Sequence, residues 1–128
     1  MIIDRIDHFV LTVADIEATR HFYCDGLGME FVTFGEGRHA LAFGRQKINL
    51  HIRGREFEPK AAIATPGSGD FCLISQQPLE AWMAHFARLG IPLLLEPSPR
   101  TGATGPLRSI YLRDPDGNLV EISNEAQE

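Results

Sequence analysis

The sequence predicts an α+β fold of two modules, each running strand, helix and then three strands. Three observations lead there. Period-two alternation marks the strands, apolar stripes at helical spacing mark two helices, and the order of elements recurs in the second half. The recurrence has a measure: His8 to Leu27 is 19 positions, and Asp70 to Leu89 is also 19.

In chain order, residues 7–13 alternate so that Phe9, Leu11 and Val13 share one face while His8, Val10 and Thr12 share the other. Asp15 can cap a helix carrying Ile16, Phe22 and Tyr23, which Gly26 and Gly28 bring to an end around Leu27. Three extended runs follow near 29–35, 38–43 and 47–52, separated by glycines at the turns. Module one thus spans about 5–52, and the breaker-rich stretch 53–69 reads as a connector. Module two, about 70–124, opens with an apolar strand at 70–75. Pro78 then starts a helix with Leu79, Trp82, Met83 and Phe86 on one stripe, closed by Leu89-Gly90. Extended runs near 91–95, 107–113 and 118–123 complete it, the last after the turn Asp114-Pro115-Asp116-Gly117. The whole chain, 1–128, reads as a single domain made of the two modules.

With 128 residues, 44% of them hydrophobic, the chain can build a real core. Twelve Lys and Arg against seventeen Asp and Glu leave a net charge of −5, the wrong sign for a phosphate-backbone binder. No run approaches the roughly 20 apolar residues of a bilayer span, and the N-terminus carries no apolar signal segment. A soluble cytoplasmic protein with no nucleic-acid or membrane partner is expected. Cys24 and Cys72 are too few for a disulfide framework and read as small buried thiols.

Each module would lay its helix on one face of a curved sheet, so the second face must meet a partner or line a cavity. That face carries His8 in the first strand, Asp70 at the equivalent point of the second module, Lys47, Asn49 and His51 in the fourth strand, and Glu121 in the last. Two imidazoles with one or two carboxylates suit a divalent iron, manganese, zinc or nickel ion with open positions. Taken singly, a strand histidine is more often a satisfied side chain, whereas a carboxylate between apolar neighbours is costly to bury without a cation.

Asp7-His8-Phe9-Val10-Leu11-Thr12-Val13, Phe22-Tyr23 with Leu27-Gly28-Met29, and Arg113-Asp114-Pro115-Asp116-Gly117-Asn118-Leu119-Val120-Glu121 together resemble the vicinal oxygen chelate superfamily. That group includes glyoxalase I, fosfomycin and bleomycin resistance proteins, methylmalonyl-CoA epimerase and extradiol dioxygenases. A closer likeness, to the glyoxalase domain-containing protein five subgroup, runs through Phe43 to His51, Glu56 to Ala61 and Pro99 to Ala103. The resemblance implies paired βαβββ modules in a curved, cup-like mixed sheet with helices outside and one divalent metal ion inside. His8 matches the first-strand ligand and Glu121 the last-strand ligand. The chain has Asp70 where the better known branches have histidine, and either Asn49 or His51 matches the fourth-strand position. The expected ligands are His8, His51 and Glu121, with Asp70 as a fourth ligand or a base beside the ion.

The implied activity is that of a metal-dependent dioxygenase or a glyoxalase-like lyase or isomerase acting on a small oxygen-rich substrate, with the ion stabilising a substrate oxyanion. Glu121 or Asp70 would move a proton and Tyr111 would donate to a substrate oxygen. Asn49, Arg100 and Arg108 are the expected substrate contacts, the arginines clamping a carboxylate from the loop 96–106 and the strand after it. The absent second-module histidine weighs against standard glyoxalase and extradiol chemistry. The alternative is a non-catalytic binding or sequestering module of the bleomycin-resistance type, against which the retained His8 and Glu121 speak. Open sheet edges favour a homodimer, with the modules paired within a chain or exchanged between subunits.

Overall fold

Alternation in the first strand does locally what its pattern predicts: β1 (His8–Val13) buries Leu11 and Val13, and β4 (Gln46–Ile52) buries Ile48 and Leu50 beside them. The computed structural model describes residues 1–127 and divides into two units, Met1–Gly67 and Ser68 onward. In the first, β2 (Glu30–Phe34) and β3 (Arg38–Phe43) complete a sheet of order β1-β4-β3-β2. β1 runs parallel to β4, and the other pairs are antiparallel.

Asp15 caps α1 (Ile16–Arg20) as expected: its Oδ1 accepts from the backbone N–H of Glu17 at 2.9 Å and of Ala18 at 3.0 Å. The helix does not continue as one piece. It passes into a π-helical turn, His21–Gly26, where the adjacent Phe22 and Tyr23 are both buried with their rings edge to face at 4.9 Å. These two rings join Leu11, Val13, Leu41, Ile48 and Leu50 in the core of the unit.

The second unit repeats the order with β5 (Asp70–Ile74), α2 (Leu79–Leu89), β6 (Ser98–Thr101), β7 (Pro106–Arg113) and β8 (Leu119–Glu125), in a sheet ordered β5-β8-β7-β6. Both modules are therefore βαβββ, as expected. Its core joins Leu79 and Phe86 of α2 with Ile110, Leu112, Val120 and Ile122 of the sheet. Gly90, at φ 71°, ends α2 in the left-handed conformation that glycine adopts without a Cβ penalty. At its start no side chain of Pro78 caps the helix. Asn124 of β8 does so from afar, accepting from Leu79 N–H at 2.8 Å and donating to the carbonyls of Ser75 and Gln77.

One strand lies elsewhere than expected. The run 91–95 forms no strand: Leu94 N–H donates to the Tyr111 carbonyl at 3.0 Å, but Pro92 has no N–H to give, Leu94 and Leu95 are half exposed, and β6 forms instead from Ser98-Pro99-Arg100-Thr101. A polar edge strand shows no apolar alternation, and an edge tolerates its proline.

The segment Asp114 to Asn118 sets the register of the second sheet. Asp114 accepts from the N–H groups of Asp116 and Asn118 at 2.9 Å and from the Asn118 side chain at 2.7 Å, while Asn118 Oδ1 accepts from Gly69 N–H at 2.7 Å. Asp114 and Asn118 are buried, so this turn ties the entry of β5 to that of β8 and aligns Asp70 with Leu119. The most specific motif of the sequence is thus a structural clasp.

Candidate functional site

The second face of the first sheet is built in rows across β1 and β4. His8 lies opposite Lys47, Val10 opposite Asn49, and Thr12 opposite His51. Ala40 of β3 continues the Asn49 row, and the pairing of His39 with Leu50 sets Arg38 at the His51 end. Over this face lies a cavity of about 620 Å³, floored by His8, Val10, Thr12, Asn49 and His51 and walled by Arg38. Its remaining wall is Pro59, Lys60, Ala61 and Ala64 from the stretch read from the sequence as a connector. That stretch is part of the site.

His8 is oriented by its neighbour. Its Nδ1 lies 2.8 Å from the Asp7 carboxylate, which can only accept, so Nδ1 carries the proton and the Nε2 lone pair is left available. The same bond holds the Asp7 carboxyl below its ordinary value. A carboxylate on the far nitrogen is the usual support of a metal-ligating histidine.

Asn49 and His51 are 5% and 3% exposed, and Asn49 Oδ1 and His51 Nε2 have no hydrogen-bond partner among the described residues. Burial lowers the His51 pKa first and the nearby Arg38 charge lowers it further, so the ring is neutral at neutral pH. Phe57 packs its ring edge on His51 at 5.8 Å and lies under the Arg38 guanidinium at 4.9 Å.

On the second sheet the corresponding face carries Cys72, Glu121 and Tyr111 in one row across β5, β8 and β7. Ser123 Oγ donates to Glu121 Oε2 at 3.2 Å and is bracketed by Ser109 Oγ at 2.6 Å and Cys72 Sγ at 3.2 Å. Tyr111 accepts from Arg100 Nε at 2.7 Å, with the guanidinium 5.2 Å from its ring centre. Burial and the Glu121 carboxylate raise the Tyr111 phenol against the opposing pull of Arg100, so it stays a neutral O–H donor. Burial and Glu121 likewise raise the Cys72 thiol, which is therefore no thiolate nucleophile. Cys72 is exposed and Cys24 half-buried, not the two buried thiols expected.

The expected site residues are brought together only in part. Glu121 and Tyr111 are neighbours, and Asp70, exposed, opens the same face two residues before Cys72. Arg100 and Arg108 form no clamp: Arg100 is engaged with Tyr111, whereas Arg108 gives two bonds to Glu80 of α2 at 2.8 and 3.0 Å from the opposite face of β7. His8 and His51 share a face, but the partner of His8 is Lys47, four residues before His51. At ~3.3 Å per residue that offset is about 13 Å, which parallel side chains do not close around one ion.

Asn49 lies between them, one diagonal step from His8. Its partner Val10 is the third residue of β1, just as the partner of Glu121, Cys72, is the third residue of β5. Register thus makes Asn49, not His51, the counterpart of Glu121. Among the described residues no three His, Cys, Asp or Glu side chains stand together as a metal-holding group. Donor chemistry fits an ion best at His8, with Asp7 behind it, and at Glu121.

Sequence reasoning passed over Arg38, Phe57 and Lys60. Phe57 and Lys60 lie in Glu56 to Ala61, which carried the closer family likeness; Arg38 lies in no motif singled out from the sequence.

The Glyoxalase/Bleomycin resistance protein/Dioxygenase superfamily matches residues 5–122. The chain is 56% identical over 123 residues to a virulence protein of Salmonella typhimurium, covering 96% of this chain and 85% of that protein. It is 50% identical over 119 residues to a glyoxalase domain-containing protein of Mycosarcoma maydis, covering 93% and 67%. A crystal structure of the Salmonella protein superposes with a TM-score of 0.96 at 55% identity over 98% of this chain and 100% of that one. A lactoylglutathione lyase of Agrobacterium tumefaciens gives 0.71 at 28% identity, covering 94% and 92%.

Proposed function

The chain belongs to the glyoxalase, bleomycin resistance protein and dioxygenase superfamily, and on that premise we propose that it is a metal-dependent enzyme acting on a small oxygen-rich molecule. The observation that carries this reading is the Asp7–His8 pair, which presents a histidine nitrogen at a cavity with a carboxylate fixing its tautomer. In the first unit His8, backed by Asp7, would hold a divalent iron, manganese, nickel or zinc ion; in the second, Glu121 is the expected ligand, with Asp70 as a further ligand or a base. Such an ion would supply Lewis-acid polarisation of a substrate oxygen.

The chain's own groups do the rest. Tyr111 donates its O–H to a substrate oxygen while Arg100 holds the ring in place. Glu121 or Asp70 accepts the proton to be moved. Asn49 contacts the substrate from the floor of the first-unit cavity. Exposed Ile2, Ile3 and Ile6 ahead of β1 and Ile74 in β5 accompany the expectation of a homodimer, which light scattering tests.

A second reading, a binding module without turnover, is favoured by one observation: a neutral amide, Asn49, stands where Glu121 stands in the other sheet. Elemental analysis of gently purified protein and of H8A and E121A decides between them. The same proteins are assayed on methylglyoxal with glutathione and on catechols after reconstitution with each ion. The enzyme reading expects near-stoichiometric metal that both substitutions remove, together with turnover. Metal at trace level in the parent protein and no turnover with any ion leave the binding reading.

A further inference from the structure

Asn49 and His51 sit two residues apart on one face of β4, each nearly sealed from solvent and each with a side-chain polar atom that meets no partner among the described residues. Such atoms are rare in folded proteins because a buried polar group without a hydrogen bond keeps its full desolvation cost. Both belong to residues that floor the cavity.

The wall above them is cationic. Arg38 forms no ion pair among the described residues. Its guanidinium lies 4.9 Å from the Phe57 ring centre and 5.3 Å from that of Phe34, contacts that hold a planar fork in place without neutralising it. Lys60 is different: Glu58 at 3.3 Å and Glu56 at 3.9 Å already share its ammonium. The uncompensated charge at this cavity is therefore that of Arg38.

We propose that this cavity takes the carboxylate of a small hydroxy acid, with Arg38 binding the carboxylate and Asn49 and His51 binding the neighbouring hydroxyl. Each part of the ligand answers one observation. A planar guanidinium pairs with a carboxylate through two parallel hydrogen bonds. Asn49 Oδ1 can only accept, so the ligand must bring a donor, and a hydroxyl gives its one proton to Asn49 Oδ1 while accepting from the Nε2–H tautomer of the His51 ring. The apolar lining, Val10, Ala61 and Ala64, suits a short carbon skeleton. A phosphate dianion fits less well, because it brings two charges to a wall with one uncompensated cation.

The inference rests on the proposed function only in taking this cavity as the substrate site; it names the substrate's class and needs no metal. Metal-stripped protein is titrated by calorimetry with 2-hydroxybutyrate, butyrate, 1,2-butanediol and inorganic phosphate. Saturable one-to-one binding of 2-hydroxybutyrate is expected, with butyrate and the diol each weaker by about tenfold or more, the loss of one buried or charge-assisted hydrogen bond. R38Q should lose about tenfold for the acid and R38K nearly as much, since an ammonium lacks the fork. N49L should abolish the preference for 2-hydroxybutyrate over butyrate, and far-ultraviolet circular dichroism checks that each variant is folded.

Equal affinity for the hydroxy and deoxy acids, tighter binding of phosphate, unchanged affinity in folded R38Q and R38K, or no saturable binding overturns the proposal. The two readings fail separately. Hydroxy-acid binding without metal or turnover removes the enzyme and keeps the subsite; metal-dependent turnover with no R38K effect on hydroxy-acid binding does the reverse.

Discussion

Asn49 holds in the first sheet the register position that Glu121 holds in the second. Each lies opposite the third residue of a parallel first strand, Val10 for the amide and Cys72 for the carboxylate. The second faces of the two sheets are thus related in backbone and unlike in chemistry: one presents a neutral amide and imidazole beside an arginine, the other a carboxylate beside a tyrosine.

Converting the amide to the acid should add a metal donor next to His8. N49E is expected to raise metal content at limiting divalent ion relative to the parent protein, and N49Q is expected not to. Elemental analysis after equilibrium dialysis reads the difference, and an N49E value equal to that of N49Q would remove Asn49 from the neighbourhood of the ion.

Asp7 acts on His8 through the imidazole, as a positioning residue. D7N keeps the size of the side chain but removes the charge that fixes the Nδ1–H tautomer, and should cost about 10- to 100-fold in metal affinity. Competition with a chelating dye measures this. Hydroxy-acid binding by metal-stripped protein should not change, which separates lost orientation from a damaged fold.

The Glu80–Arg108 pair ties α2 to β7 away from the inner face. Arg108 holds the Glu80 carboxyl below its ordinary value of 4.5, so in acid the unfolded chain binds this proton first and the folded chain resists it. The stability difference between the parent protein and E80Q should therefore be present above pH 4.5 and vanish as pH falls through the lowered value. Denaturant melts between pH 3 and pH 7 test the sign. R108Q should leave ligand affinity unchanged, and a loss there would restore Arg108 to the substrate contacts.

Asn124 satisfies three backbone groups around the start of α2. N124A leaves them without protein partners and should cost about 1–3 kcal/mol, seen as a lower midpoint of thermal unfolding. Hydroxy-acid binding, which draws on residues of the first unit alone, should persist below that midpoint.

Much of this protein was legible from local pattern. Strand alternation assigns a face to each side chain over a few residues, so His8, Asn49, His51 and Glu121 could be placed on inner faces before any tertiary contact was known. Asp15 and Gly90 marked helix ends because capping is chemistry within one turn. Alternation carries no information about which rows of different strands meet. Register separated His8 from His51 and made Asn49 the counterpart of Glu121; long-range bonds turned Arg108 onto Glu80 and Arg100 onto Tyr111. A breaker-rich connector, featureless by periodicity, became the wall of a cavity because its place depends on closing back over a sheet. Faces follow from the geometry of one chain segment, whereas sites follow from which segments come to lie side by side.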